Sequence, residues 1–158
     1  MGAKFIQFRY GIVTALVLIA YFLIVRLFDL HENIWLRLFN GCIVAYGIYA
    51  SIRFKRLVQR EQFDYFSGAM TGLSTGFVAT VLFVGFMAVY MFHLDPKFPE
   101  SIMNTWIKGH NQGPGMLLFI LGIEGFASSV ILTLAFMQKF KPSWNLSSKI
   151  PEKAKKLA

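Results

Sequence analysis

Four long apolar stretches organise the chain, separated by short polar or charged links. They run over about 5–27, 34–52, 68–92 and 115–137, and none alternates with the period of two that a barrel strand requires. Each is near the roughly 20 residues that a helix needs to cross a hydrocarbon core. Backbone groups in such a core must be satisfied within the segment, so a spanning stretch predicts a helix. The expected fold is therefore an all-α integral membrane protein of four transmembrane helices. Residues 1–141 form the membrane domain, and residues 142–158 form a basic, mobile cytoplasmic tail.

The links refine this picture. In "RFKRLVQREQFDYFS" cations alternate with Phe54, Leu57 and Phe63, which predicts an extension of the second helix or an interfacial helix. In the second outer loop, "PESIMNTWIK" starts with Pro99 and places Ile102, Met103, Trp106 and Ile107 on one face, which predicts a short interfacial helix. His93, Asp95 and His110 match no metal-site spacing, so no metal is expected.

Composition agrees with a lipid solvent. Of 158 residues, 56% are hydrophobic and 15% charged, against roughly 45–50% and 25% in soluble domains. The net charge of +8 would raise nucleic acid for a soluble chain. Here the cations flank apolar segments, and no nucleic-acid motif accompanies them. Twelve of the sixteen Lys and Arg fall in the N-terminal segment, the second link and the stretch from Lys139 onwards; Arg26, Arg37, Lys97 and Lys108 fall on the other side. The positive-inside rule then places both termini in the cytoplasm. Arg53, Lys55, Arg56, Lys139 and Lys141 are expected at anionic lipid headgroups. Tyr90 is expected to anchor the outer interface. Cys42, the single cysteine, can form no intrachain disulfide.

Two features inside the spans bear on function. Gly68, Gly72, Gly76 and Thr80 recur every four residues in the third span, and Gly122, Gly125, Ser128 and Ser129 supply small residues in the fourth. This is the pattern of close helix approach in lipid, and the short loop makes the two helices antiparallel neighbours. The fourth span also carries Glu124, near the midplane, where an ionisable group costs about 3 kcal/mol on insertion scales. A helical wheel groups it with Gly125, Ser128 and Ser129, which predicts an acid turned into the bundle. Thr80, Tyr46 and Asn40 lie within about a turn of its depth as possible neighbours. Structural clasp, coupling carboxylate and partner contact all suit such an acid.

The stretches "FDYFSGAMTGLSTGFVATVLFVGFMAVYMFHLDPKF" and "IEGFASSVILTLAFMQKFK" carry a family resemblance. The chain resembles a numbered domain-of-unknown-function family of small four-helix inner-membrane proteins, found mainly in Bacteroidota. Asp95 and Pro96 match the family's outer turn, and Glu124 matches its intramembrane acid. The resemblance implies four spans in a bacterial inner membrane and supplies no activity. No catalytic fingerprint or haem-ligating histidine pair is present. The function expected from the residues is a non-enzymatic accessory or scaffold subunit, without cofactor, in a homo-oligomer or larger membrane complex. The alternative is a small transporter or channel that uses Glu124 as its coupling carboxylate.

Overall fold

The structure is a computed structural model that describes residues 5–28, 34–60, 63–95 and 114–140, with the side chains of 34–37 outside the description. All regular elements among the described residues are helical. In chain order they are α1 (Ile6–Leu27), α2 (Ile34–Gln59), α3 (Tyr65–Val89), a π-helical turn (Tyr90–Leu94) and α4 (Pro114–Phe140). The segment predicted as an interfacial helix, residues 99–108, and the basic tail lie outside the described residues. Three of the helices, Ile6–Leu27, Tyr65–Leu94 with its π turn, and Pro114–Phe140, are long and apolar enough to cross a membrane. α2 is less apolar, because Arg37, Asn40 and two tyrosines interrupt it, and Arg53, Lys55 and Arg56 follow.

The helices outrun the apolar stretches that predict them. α2 continues seven residues past Ile52, and α4 continues three past Met137. Arg, Lys and Gln sustain a helix as well as Leu does, so hydropathy marks where lipid ends and not where the helix ends. Capping sets the ends instead. The Asp64 carboxylate accepts from the Phe66 N–H at the start of α3. Arg60 ends α2 in the left-handed region (φ 45°), and its carbonyl accepts from the Phe63 N–H. That conformation costs a non-glycine residue roughly 1–2 kcal/mol.

α3 is the hub. It packs against α1, α2 and α4, whereas α1 and α4 make at most marginal contact with each other. Glycines explain how three helices approach one. Along the α3–α4 seam the facing pairs are Gly68 with Met137, Gly72 with Thr133, Gly76 with Ser129, and Thr80 with Gly125. The pairs recur once per turn in antiparallel register. The small residue changes helix between Gly76 and Gly125, so each pair joins a glycine to a larger partner. A methyl group on Gly72 would lie 2.7 Å from Thr133 Cγ2 and 2.9 Å from Ile52 Cδ1. α2 therefore closes on the same glycine from the other side. Gly11 lets α1 settle on Val78 of α3, and Gly47 lets α2 settle on Thr14 of α1.

Several hydroxyls along these seams are turned back on their own helices, whereas the Thr133 hydroxyl is buried without a partner among the described residues. Thr71 donates to the Ser67 carbonyl at 2.8 Å, Thr75 to Thr71 at 2.8 Å, and Ser129 to Gly125 at 2.7 Å. Thr14 and Ser51 do the same on α1 and α2. Such back-bonding satisfies these donors within their own helix, so the hydroxyls can pack against the facing glycines without needing a partner there. Lipid supplies no hydrophobic drive for association, so this close packing holds the helices together.

A larger residue at Gly76 should separate α3 from α4. Gly76→Val is expected to lower unfolding stability in mild detergent by about 1–3 kcal/mol, the range of core over-packing. Gly122→Ala, where an added methyl meets nothing within 4 Å, should change it little. If Gly76→Ala combined with Ser129→Gly is no more stable than the sum of the single changes predicts, the two positions do not meet as described.

Candidate functional site

Three polar features occur outside the glycine seams: the flank of α4 that bears Glu124, a clasp between α1 and α3, and a basic cleft between α2 and α4.

The set Glu124, Thr80, Tyr46 and Asn40 is not brought together as the sequence predicts. Glu124 is exposed on the surface of α4. Tyr46 is 74% exposed on α2, while Thr80 is buried beneath Gly125 at 7%. Asn40 is half-buried, with its Oδ1 enclosed and unpartnered among the described residues. The helical wheel grouped Glu124 correctly with Gly125, Ser128 and Ser129, but α3 meets only one edge of that arc. The seam follows every fourth residue, Gly125, Ser129, Thr133 and Met137, and Glu124 stands about 100° to one side. Phe126 stands on the other side and packs on Phe77, ring centroids 5.1 Å apart. Because α4 lies at the edge of the bundle, the flank bearing Glu124 is left at its surface. The small residues divide similarly. Gly68, Gly72, Gly76, Gly125 and Ser129 lie in seams, Ser128 is half-buried, and Gly122 faces open space.

Sequence reasoning missed the clasp. Arg26, at the end of α1, donates from Nη2 to Asp95 Oδ2 at 2.7 Å and from Nε to the Tyr90 hydroxyl at 3.2 Å. The π turn makes this possible: the Asp95 N–H donates to the Tyr90 carbonyl at 2.9 Å, five residues back. That widened turn sets Asp95 beside Arg26. Phe22 meets the Tyr90 ring edge-on at 5.1 Å and shields the pair. Tyr90, expected as an interfacial anchor, is buried at 8%. Of the three weak metal candidates, Asp95 is engaged by Arg26, His93 is exposed and His110 lies outside the described residues. Arg26 at the end of one span and Asp95 at the end of another could have been matched by depth and charge. The π turn that aligns them leaves no such signal.

At the opposite end of the bundle, a cleft of about 520 Å³ is lined by Tyr49, Arg53, Arg56, Leu57, Arg60 and Phe140. Tyr49, Arg53, Arg56 and Arg60 follow a 4-3-4 spacing and so share one face of α2. The Tyr49 and Phe140 rings stack at 5.6 Å, Arg56 lies over Phe140 at 5.5 Å, and Lys139 lies over Tyr49 at 5.5 Å. These are cation–π distances. The expected headgroup residues therefore separate. Arg53 and Arg56 line the cleft, and Lys139 borders it. Lys55 turns towards α3 and donates to the Ser67 carbonyl at 3.4 Å. Burial pushes its ammonium below the usual lysine range. Lys141 lies outside the described residues, and Arg60 is an addition that sequence reasoning did not select.

The sequence profile described as "Protein of unknown function (DUF4199)" matches residues 9–116. The chain belongs to the DUF4199 family. That match takes in α1, α2, α3 and the π turn, including Arg26, Arg53, Arg56, Arg60 and Asp95. It ends at Met116, so Glu124 and the rest of α4 lie beyond it. No curated protein and no solved structure matches the chain.

The α1–α3 clasp of this DUF4199 protein should matter to stability. Asp95→Ala removes the carboxylate from the Arg26 guanidinium in a site about a quarter exposed, and should cost about 1–2 kcal/mol in detergent unfolding. Arg26→Lys should fail to restore it, since one ammonium does not reproduce a fork that reaches both Asp95 and Tyr90.

Proposed function

We propose that the protein is a non-enzymatic accessory or scaffold subunit of a membrane assembly, acting in a homo-oligomer or a larger complex. The observation that carries this reading is the exposure of Glu124 on α4. It lies ten residues past Pro114, roughly 15 Å along a helix of about 40 Å, and so near mid-span. An ionisable side chain exposed at that depth is accommodated better by a second protein surface than by lipid tails. Gly122, with open space in front of it, allows a partner helix to come close.

The same reading takes α2 as a fourth span. It has 26 residues and runs antiparallel between α1 and α3, its Ile48 and Ile52 against Gly76 and Gly72. Positive charge supports an orientation with both termini in the cytoplasm of a bacterial inner membrane: Arg9, Arg53, Lys55, Arg56, Arg60 and Lys139 gather at the end where the chain's tails leave. A transport role receives less support. The hydroxyls of Thr71, Thr75 and Ser129 are spent on their own helices, and Thr80 is packed away from Glu124's flank.

Co-purification from the native membrane in mild detergent, followed by mass spectrometry, tests this. The expected result is an oligomer or a stable hetero-complex whose yield falls at least several-fold in Glu124→Leu, while Glu124→Gln retains most of it. A monomeric, partner-free wild type overturns the scaffold reading. So does a pH-dependent solute flux in liposomes that Glu124→Gln abolishes while leaving assembly intact.

A further inference from the structure

We propose that the basic cleft at the tail-bearing end of the bundle is a binding site for a phosphate group, presented by an anionic phospholipid at the membrane surface. This is independent of the scaffold reading, because it requires no protein partner.

The lining is suited to such a ligand in shape and charge. Its volume, 520 Å³, is within the range of about 300–1,000 Å³ common for small-molecule sites. Arg53, Arg56 and Arg60 are all exposed on one face of α2, and among the described residues no carboxylate forms an ion pair with them. Among the described residues the neighbouring acid is Asp64, which is exposed and caps α3 through the Phe66 N–H; Glu61 lies outside the description. Like charges three and four residues apart repel on a helix, so an anion between them removes an unfavourable interaction as well as adding a favourable one.

Capping of the helix ends does not account for this much charge. Two helix C-termini, those of α2 and α4, together offer about one unit of negative charge. Arg53, Arg56, Arg60 and Lys139 bring four positive ones; with Asp64 also counted, an excess of about two remains among the described residues. Carboxylate would satisfy one guanidinium fork; phosphate oxygens can accept from several at once, which matches three arginines on one face. Beneath them Tyr49 and Phe140 form an apolar floor, with Leu57 at the side. Arg53 directly follows Ile52, the end of the apolar stretch of α2, so the cleft lies at headgroup depth, with apolar surface below and cations above.

Arg60 gives the sharpest evidence. It occupies a left-handed position where glycine is ordinarily found. A residue needed only to stop α2 would be better as glycine. Keeping an arginine there costs stability and places a third guanidinium at the cleft.

The experiment uses the full-length protein reconstituted in vesicles of phosphatidylcholine mixed with phosphatidylglycerol, then extracted in mild detergent. Retained lipid is measured by mass spectrometry. Wild type should retain phosphatidylglycerol preferentially. Arg53→Gln and Arg60→Gly should each lower that preference by about tenfold, the effect of losing one charge-assisted hydrogen bond. Arg60→Gly should unfold no more easily than wild type, which separates ligand loss from misfolding. Arg9→Gln removes an exposed cation at the same end but outside the cleft, and should leave the preference unchanged. Equal retention of the two lipids overturns the proposal, as does an equal loss in Arg9→Gln, which would indicate diffuse attraction. Inorganic phosphate decides the source. If it fails to displace phosphatidylglycerol, the lipid assignment stands. If it displaces the lipid and protects the protein from unfolding by itself, the phosphate site stands and the lipid assignment falls.

Discussion

The close approach of α3 to its neighbours is the constraint on which the rest of the structure depends. In lipid, leucine gains nothing by leaving the hydrocarbon for another helix, so association must come from contact density. Gly68, Gly72 and Gly76 provide it by removing side chains from one face of α3. Gly72 and Gly76 each receive a residue from α4 and an isoleucine from α2. Once α2, α3 and α4 are fixed this closely, α2 and α4 converge at the tail-bearing end, where Tyr49 meets Phe136 edge-on and stacks on Phe140. The aromatic floor of the cleft is thus a consequence of glycines about two turns away.

The same constraint explains the position of Glu124. A hub has limited circumference, and α1 and α2 occupy the part that α4 leaves. α4 is therefore a peripheral helix with one contact stripe, and most of its circumference faces outward. An acid one position from that stripe is exposed. Had α1 also packed against α4, the same sequence would have buried it.

This determines how much the sequence could disclose. The helical class and the glycine face of α3 were legible because each depends on spacing within one segment. The pairing of α3 with α4 was legible because two small-residue faces at matching depths leave few alternatives. Glu124's orientation was not, since the wheel defines an arc of about 140° and only the neighbour decides which edge is covered. Tyr46 failed for the same reason: it matches Glu124 in depth, but the adjacent Gly47 and Ile48 are the residues that turn inward. The Arg26–Asp95 pair depended on a π turn, which shifts the register by one residue and has no compositional mark. Arg60 was hidden because a left-handed arginine at a helix end looks, in sequence, like one more cation in a basic link.

The two ends of the bundle treat charge in opposite ways. At one end Arg26 is matched by Asp95, oriented by Tyr90 and shielded by Phe22, so its charge is neutralised within the chain. At the other, Arg53, Arg56 and Arg60 stand together without such a carboxylate among the described residues, and only aromatic faces and helix ends offset them. A fold that can build the first arrangement does not need the second for stability. Repulsion among the three arginines, and the left-handed backbone at Arg60, are costs that an anion held between the guanidinium groups would offset in the proposed site. The clasp closes on a carboxylate of the chain, whereas the cleft, among the described residues, stays open to the anion proposed for it.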